Sequence, residues 1–140
     1  MRRKKQELTE KQCLDILRRA KTATLALSGD DGYPYSVPMN FVYEDGKIYF
    51  HGAKEGHKID AIKNNPKVLM SIIDQEDVIE EELTTYFRSV ILFGKARILQ
   101  EDDEIYHAIE TLGLKYNEDE VTVEKEIQRE WKALCCIEIT

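Results

Sequence analysis

The chain has 140 residues, 42% of them apolar and 34% charged, and a domain of this size buries roughly 68–70% of its unfolded surface, enough for a true core. Twenty basic residues against 27 acidic ones give a net charge of −7 and a pI near 5.1, which argues against a nucleic-acid reader, because such proteins carry a basic face and here the basic run is confined to Met1–Lys5. No window approaches the ~20 apolar residues of a membrane span, and polar residues rather than an apolar h-region follow the basic tip, so a cytoplasmic protein without a membrane partner is expected.

Thr9-Glu10-Lys11-Gln12 fits a capping box and predicts a helix over Thr9–Ala20. Thr22–Ser28 alternates Ala and Leu as a strand, and Gly29-Asp30-Asp31-Gly32 is turn chemistry. Tyr33–Tyr43, rich in Tyr, Val and Phe, predicts a second strand. Glu44-Asp45-Gly46 turns into a third, Lys47–Gly52. A short helix over Ile59–Asn64 ends at Asn65-Pro66, and Lys67–Ile73 is a fourth strand. Asp74–Leu83 carries six acids and is read as a solvated loop or edge. Tyr86–Leu99 forms a long fifth strand, with Gly94 a bulge or a point of close approach. Glu101–Leu114 is helical with Gly113 as its cap, and Asn117–Glu130 is polar, helical in its latter half. Trp131–Ile139 is a sixth strand.

Hairpin-like strand pairs with interspersed helices do not make a parallel sheet. They predict a mainly β, α+β domain spanning residues 1–140, a small six-stranded antiparallel barrel with helical decoration. Cys13, Cys135 and Cys136 show no metal-ligand spacing and are expected to be reduced apolar fillers. As strand neighbours, Cys135 and Cys136 point to opposite faces and are not both expected in the core.

The chain lacks the glycine-rich dinucleotide and P-loop fingerprints, the zinc-protease motif and the nucleophile elbow. Ser28, Ser36, Ser71 and Ser89 sit in no hydrolase context. The informative stretch is Tyr33–Lys58. Pro38 interrupts a strand, which reads either as an edge or bulge or as backbone turned toward a ligand. Gly52–Lys58 holds two glycines and a basic pair at a helix start, either an ordinary loop or an anion site. Arg88-Ser89 is either a surface pair or a further phosphate contact. His51 ends a strand beside Phe50, on the opposite face, as packing or as a proton donor.

Four segments together carry a resemblance: Tyr33–Phe41 (YPYSVPMNF), Asp45–Asp60 (DGKIYFHGAKEGHKID), Asn64–Val68 (NNPKV) and Arg88–Ala96 (RSVILFGKA). The series resembles the pyridoxamine 5′-phosphate oxidase-like split-barrel flavoproteins, on the branch of the nitroimidazole-resistance (NimA-type) proteins. The resemblance covers roughly Leu8 to Leu99, with Trp131–Ile139 similar to the closing strand.

It implies an FMN-binding split β-barrel homodimer with two flavin sites at the subunit interface. By position, Val37, Pro38, Met39 and Asn40 line the isoalloxazine, and Phe50 and His51 lie near the flavin and its ribityl chain. His57 and Lys58 match the basic pair that holds the phosphate. Ser89 and Val90 resemble the segment that reaches the flavin from the partner subunit. The implied activity is an FMN-dependent, nitroreductase-like oxidoreductase acting with a small-molecule electron donor or acceptor, with His51 as its catalytic residue. Alternatives from other classes are a haem-binding split barrel, with His51 or His57 as axial ligand, and a flavin carrier or sensor without turnover. Pyridoxamine phosphate oxidation itself is not expected, because no C-terminal Arg/His pair of the kind that grips pyridoxal phosphate is found.

Overall fold

The protein is described from a computed structural model that covers residues 7–79 and 84–140. The basic tip at Met1–Lys5 and the acids Glu80, Glu81 and Glu82 therefore lie outside the described residues. Helix α1 runs Glu10–Arg19. The Gln12 N–H donates to the Thr9 hydroxyl while the Thr9 N–H donates to the Gln12 side chain, which closes the expected capping box. Ile16 and Leu17 are its buried face.

Seven strands follow: β1 (Thr22–Ser28), β2 (Pro34–Asn40), β3 (Val42–Glu44), β4 (Lys47–Ala53), β5 (Lys67–Ile79), β6 (Thr84–Ile98) and β7 (Leu134–Ile139). Helix α2 (His57–Asn64) links β4 to β5, and α3 (Asp102–Tyr116) and α4 (Glu120–Glu130) lie between β6 and β7. The sheet order is β2-β1-β5-β6-β7-β4-β3, every pair antiparallel. β2 and β3 are thus the two outer edges, yet only Phe41 separates them in the chain. The sheet must curl until its edges meet, and the result is a barrel split along one seam.

That seam explains the strand count. The predicted second strand, Tyr33–Tyr43, is really β2 and β3, divided at the fully buried Phe41. Two side chains from the end of α3 occupy the break and hydrogen-bond there. The Phe41 N–H donates to the Tyr116 hydroxyl at 3.0 Å, Lys115 Nζ donates to the Phe41 carbonyl at 2.9 Å, and Lys115 also donates to the Ala20 carbonyl.

One core fills the barrel, with Leu25, Phe41, Phe50, Met70, Ile72 and Ile137 at its centre. A second lies between the sheet and α3–α4, around Tyr49, Ile109, Val123 and Ile127. β7 is buried on both faces, so Cys135 enters the barrel core and Cys136 the helical core. Both are in cores, against expectation, because α3 and α4 cover what alternation alone would leave wet.

Four boundaries also move. Asp74–Ile79 belongs to β5 rather than to a loop, and the register shifts between Ile73 and Gln75. Asp74 is held there by Arg19 Nε at 3.0 Å and Nη2 at 2.5 Å, which keeps its carboxyl below the usual range. Gly113 lies inside α3 instead of capping it, where a Cβ would come within 2.8 Å of Val123 Cγ1. α4 is helical from Glu120 because the Asp119 side chain accepts from the Val121 N–H. Trp131–Ala133 forms a short 3₁₀ turn, so β7 begins only at Leu134. Among the described residues no helix is long and apolar enough to cross a membrane.

Candidate functional site

β4 divides its side chains between two environments. Ile48 and Phe50 point into the barrel core, while Tyr49 joins the helical core. His51 follows Tyr49 onto the helical side, as alternation requires. Phe50 and His51 therefore serve opposite faces of one strand.

On the barrel side, the strand leads through Gly52 to the start of α2. Gly56 precedes that helix at φ 142°, a conformation that strongly favours glycine, and no side chain caps the first turn. Its leading N–H groups are thus open to an anion. Lys58 folds back over β4, with Nζ 5.5 Å from the Phe50 ring centroid. A Cβ on Gly52 would sit 3.3 Å from that Nζ, so glycine leaves the passage the ammonium uses. Burial lowers the Lys58 pKa, and no carboxylate pairs with it among the described residues. A half-buried cation at an uncapped helix start suits a phosphate dianion.

His57 turns the other way. Its ring stacks at 4.4 Å and 60° on Tyr35 of β2, and Nδ1 lies 3.6 Å from Asp30 in the β1–β2 turn. This contact ties α2 to the edge strand and brings the basic pair beside β2. Along β2, Tyr35, Val37 and Met39 are half-buried against the core, while Ser36, Pro38 and Asn40 are exposed. Pro38 is tolerated because β2 pairs on one side only, with Thr24 of β1 opposite it. The edge alternative for Pro38 holds, and the outer row of backbone groups beside it has no strand partner among the described residues.

Ser89 and Val90 are not brought to this cleft. Within the chain β1 and β5 separate β6 from β2, and Val90 is a core side chain. Phe50 is likewise buried, so its ring supports Lys58 from below.

On the helical side, His51 stands at the mouth of a groove of about 620 Å³ between the end of β4, α3 and α4. Enclosure by its neighbours and the charge of Lys58 lower its pKa below 6.5, against an upward pull from Glu130. The imidazole is therefore mostly neutral at pH 7. Sequence reasoning missed this groove, although Val123 and Ile127, four residues apart in a polar helix, marked a buried stripe. It also missed Tyr35 and Asp30 as partners of His57, which carry no local signal.

The curled sheet, its seam and the basic cleft beside its edge strand define a split-barrel protein. The family model described as pyridoxamine 5′-phosphate oxidase matches residues 9–140. The chain belongs to that family. A comparison with curated proteins finds no match. Among solved structures, a candidate 5-nitroimidazole antibiotic resistance protein from Bacteroides thetaiotaomicron is similar at a TM-score of 0.76 and 21% identity, over 95% of this chain and 80% of that one. An FAD- and haem-binding protein from Mycobacterium smegmatis is similar at a TM-score of 0.76 and 18% identity, over 94% and 66%. The haem storage protein of Vibrio cholerae reaches a TM-score of 0.69 at 16% identity, over 94% and 88%. At these identities the likeness is one of fold.

Proposed function

We propose that the chain is an FMN-binding oxidoreductase, nitroreductase-like in reducing small organic acceptors, that works as a homodimer. The observation that carries this reading is the half-buried Lys58 ammonium beside Gly52 at the uncapped start of α2. Lys58, with His57 next to it, would hold the FMN phosphate, and the exposed edge of β2 around Val37, Pro38, Met39 and Asn40 would border the ring. Ser89 would come from the partner subunit, since its own strand is remote from β2. When bound, FMN supplies the electron transfer. The chain's own residues would bind and orient it, whereas His51, neutral at pH 7 and on the other face of β4, stands away from this cleft within one chain.

The test is direct. Protein purified without added cofactor should be yellow with two visible bands, and FMN should titrate to saturation. Lys58→Ala should weaken FMN binding about 10- to 100-fold, the scale of one charge-assisted hydrogen bond, with unchanged circular dichroism. Equal affinity for FMN in the variant would remove Lys58 from the site.

A second reading has one observation in its favour. The neutral His51 imidazole is the form that ligates iron, and the M. smegmatis and V. cholerae relatives are described as binding or storing haem. A Soret band in place of the flavin bands would decide for it.

A further inference from the structure

The groove behind β4 has a chemistry of its own. Its floor is apolar, formed by Ile109, Ile127 and Leu134, and its rim carries His51, Glu126 and Glu130. No lysine or arginine lines it. Arg129 engages one oxygen of each rim carboxylate, with Nη2 at 2.5 Å from Glu126 Oε2 and Nε at 3.4 Å from Glu130 Oε1. The second oxygen of each has no side-chain partner among the described residues. A volume of about 620 Å³ falls within the range of small-molecule sites, which are mostly apolar with a few placed polar groups.

We propose that this groove binds a small organic cation, its aromatic or aliphatic body lying on Ile109, Ile127 and Leu134 and its ammonium at Glu126 and Glu130. The carboxylates select the sign of the head group, because two of them share the single Arg129 and leave the rim one net negative charge, with no lysine or arginine in the lining itself. The apolar floor selects against a fully hydrated ion. His51, whose ring keeps both a donor and an acceptor nitrogen when neutral, orients a polar substituent on the body. This site goes beyond the flavin reading and does not rest on it, since the groove and the Lys58 cradle lie on opposite faces of β4.

Three probes with one body and different heads test it: 4-phenylbutylammonium, 4-phenylbutanol and 4-phenylbutyrate, each titrated calorimetrically into the full chain as purified. The amine should bind about fivefold more tightly than the carboxylate, as two partly screened carboxylates allow, with the alcohol between them. Glu126→Gln combined with Glu130→Gln should shrink that difference to less than about twofold. Ala133→Trp, which fills the groove from an exposed position, should abolish binding of all three while circular dichroism stays native. The His51 ring proton resonances should shift with the amine in the wild type. No saturable binding, equal or tighter binding of the carboxylate, or a preference that survives the double Gln variant would each overturn the proposal. FMN titrated into the same preparation keeps the two readings apart: amine binding without flavin binding sinks the flavin site alone, and the converse sinks the groove alone.

Discussion

His51 is the residue at which sequence and structure diverge most usefully. Alternation placed it opposite Phe50, yet the resemblance grouped both near one ligand. The structure gives them different faces, with Lys58 over Phe50 and α4 beside His51. Its lowered pKa has a consequence for stability. Between the folded value and the ordinary 6.5 the unfolded chain binds the proton better, so stability rises with pH there. The contribution of neutral His51 is fully present above pH 6.5 and is lost as pH falls below it. His51→Gln removes the titrating group, so the melting temperature of the variant should fall less than that of the wild type between pH 7 and pH 5. Parallel curves for the two proteins would mean that His51 titrates normally. Neither Tyr35 nor Asp30 announced itself as a partner of His57, because each is brought there by the hairpin turn and not by spacing along the chain.

Elements were legible wherever a local rule sufficed. The capping box of α1, the alternation of β1 and the Gly-Asp turns are satisfied within a few residues, and they fall where the sequence places them. The seam was not legible, because nothing in Asn40-Phe41-Val42 distinguishes a continuous strand from two strands on opposite edges of a sheet. What holds the break is α3, some 75 positions away, through Lys115 and Tyr116. Removing both donors and acceptors there has a calculable effect. Tyr116→Phe with Lys115→Met leaves the Phe41 N–H and C=O and the Ala20 C=O short of partners, each partly buried group contributing about 1 kcal/mol. Chemical denaturation should show a loss of about 2–3 kcal/mol at unchanged m-value, and a smaller loss than about 0.5 kcal/mol would mean that water replaces the clamp. Gly94 was legible in kind. It pairs regularly with Val68, so it is no bulge, and a Cβ would come within 2.6 Å of Ile139 Cγ2 and 2.9 Å of the Thr140 carbonyl. Close approach of the chain end is what glycine permits there.

At the scale of the molecule, one face of the sheet leaves large apolar side chains exposed among the described residues. Ile73, Ile91 and Phe93 are 58%, 59% and 83% exposed, and the register sets them beside Ser89, Ser71 and Leu69 on adjacent strands. The outward residues of β1 and β2 that continue this face, Thr24, Ala26, Ser36 and Pro38, are small or uncharged. Contiguous apolar patches of this kind on a small domain mark a contact surface. In the proposed homodimer a second copy would cover this face and would also complete the proposed flavin site by carrying its Ser89 to the β2 edge. Two-fold pairing through one self-complementary face gives two equivalent sites. Ile91→Lys with Phe93→Lys places two like charges against their symmetry mates and removes the central anchors, so light scattering should read a dimer for the wild type and a monomer for the variant. The same variant should lose FMN affinity although Lys58 is intact. A wild-type monomer that binds FMN would sink the composite site, and a monomeric variant that keeps full FMN affinity would place the whole flavin cleft within one chain.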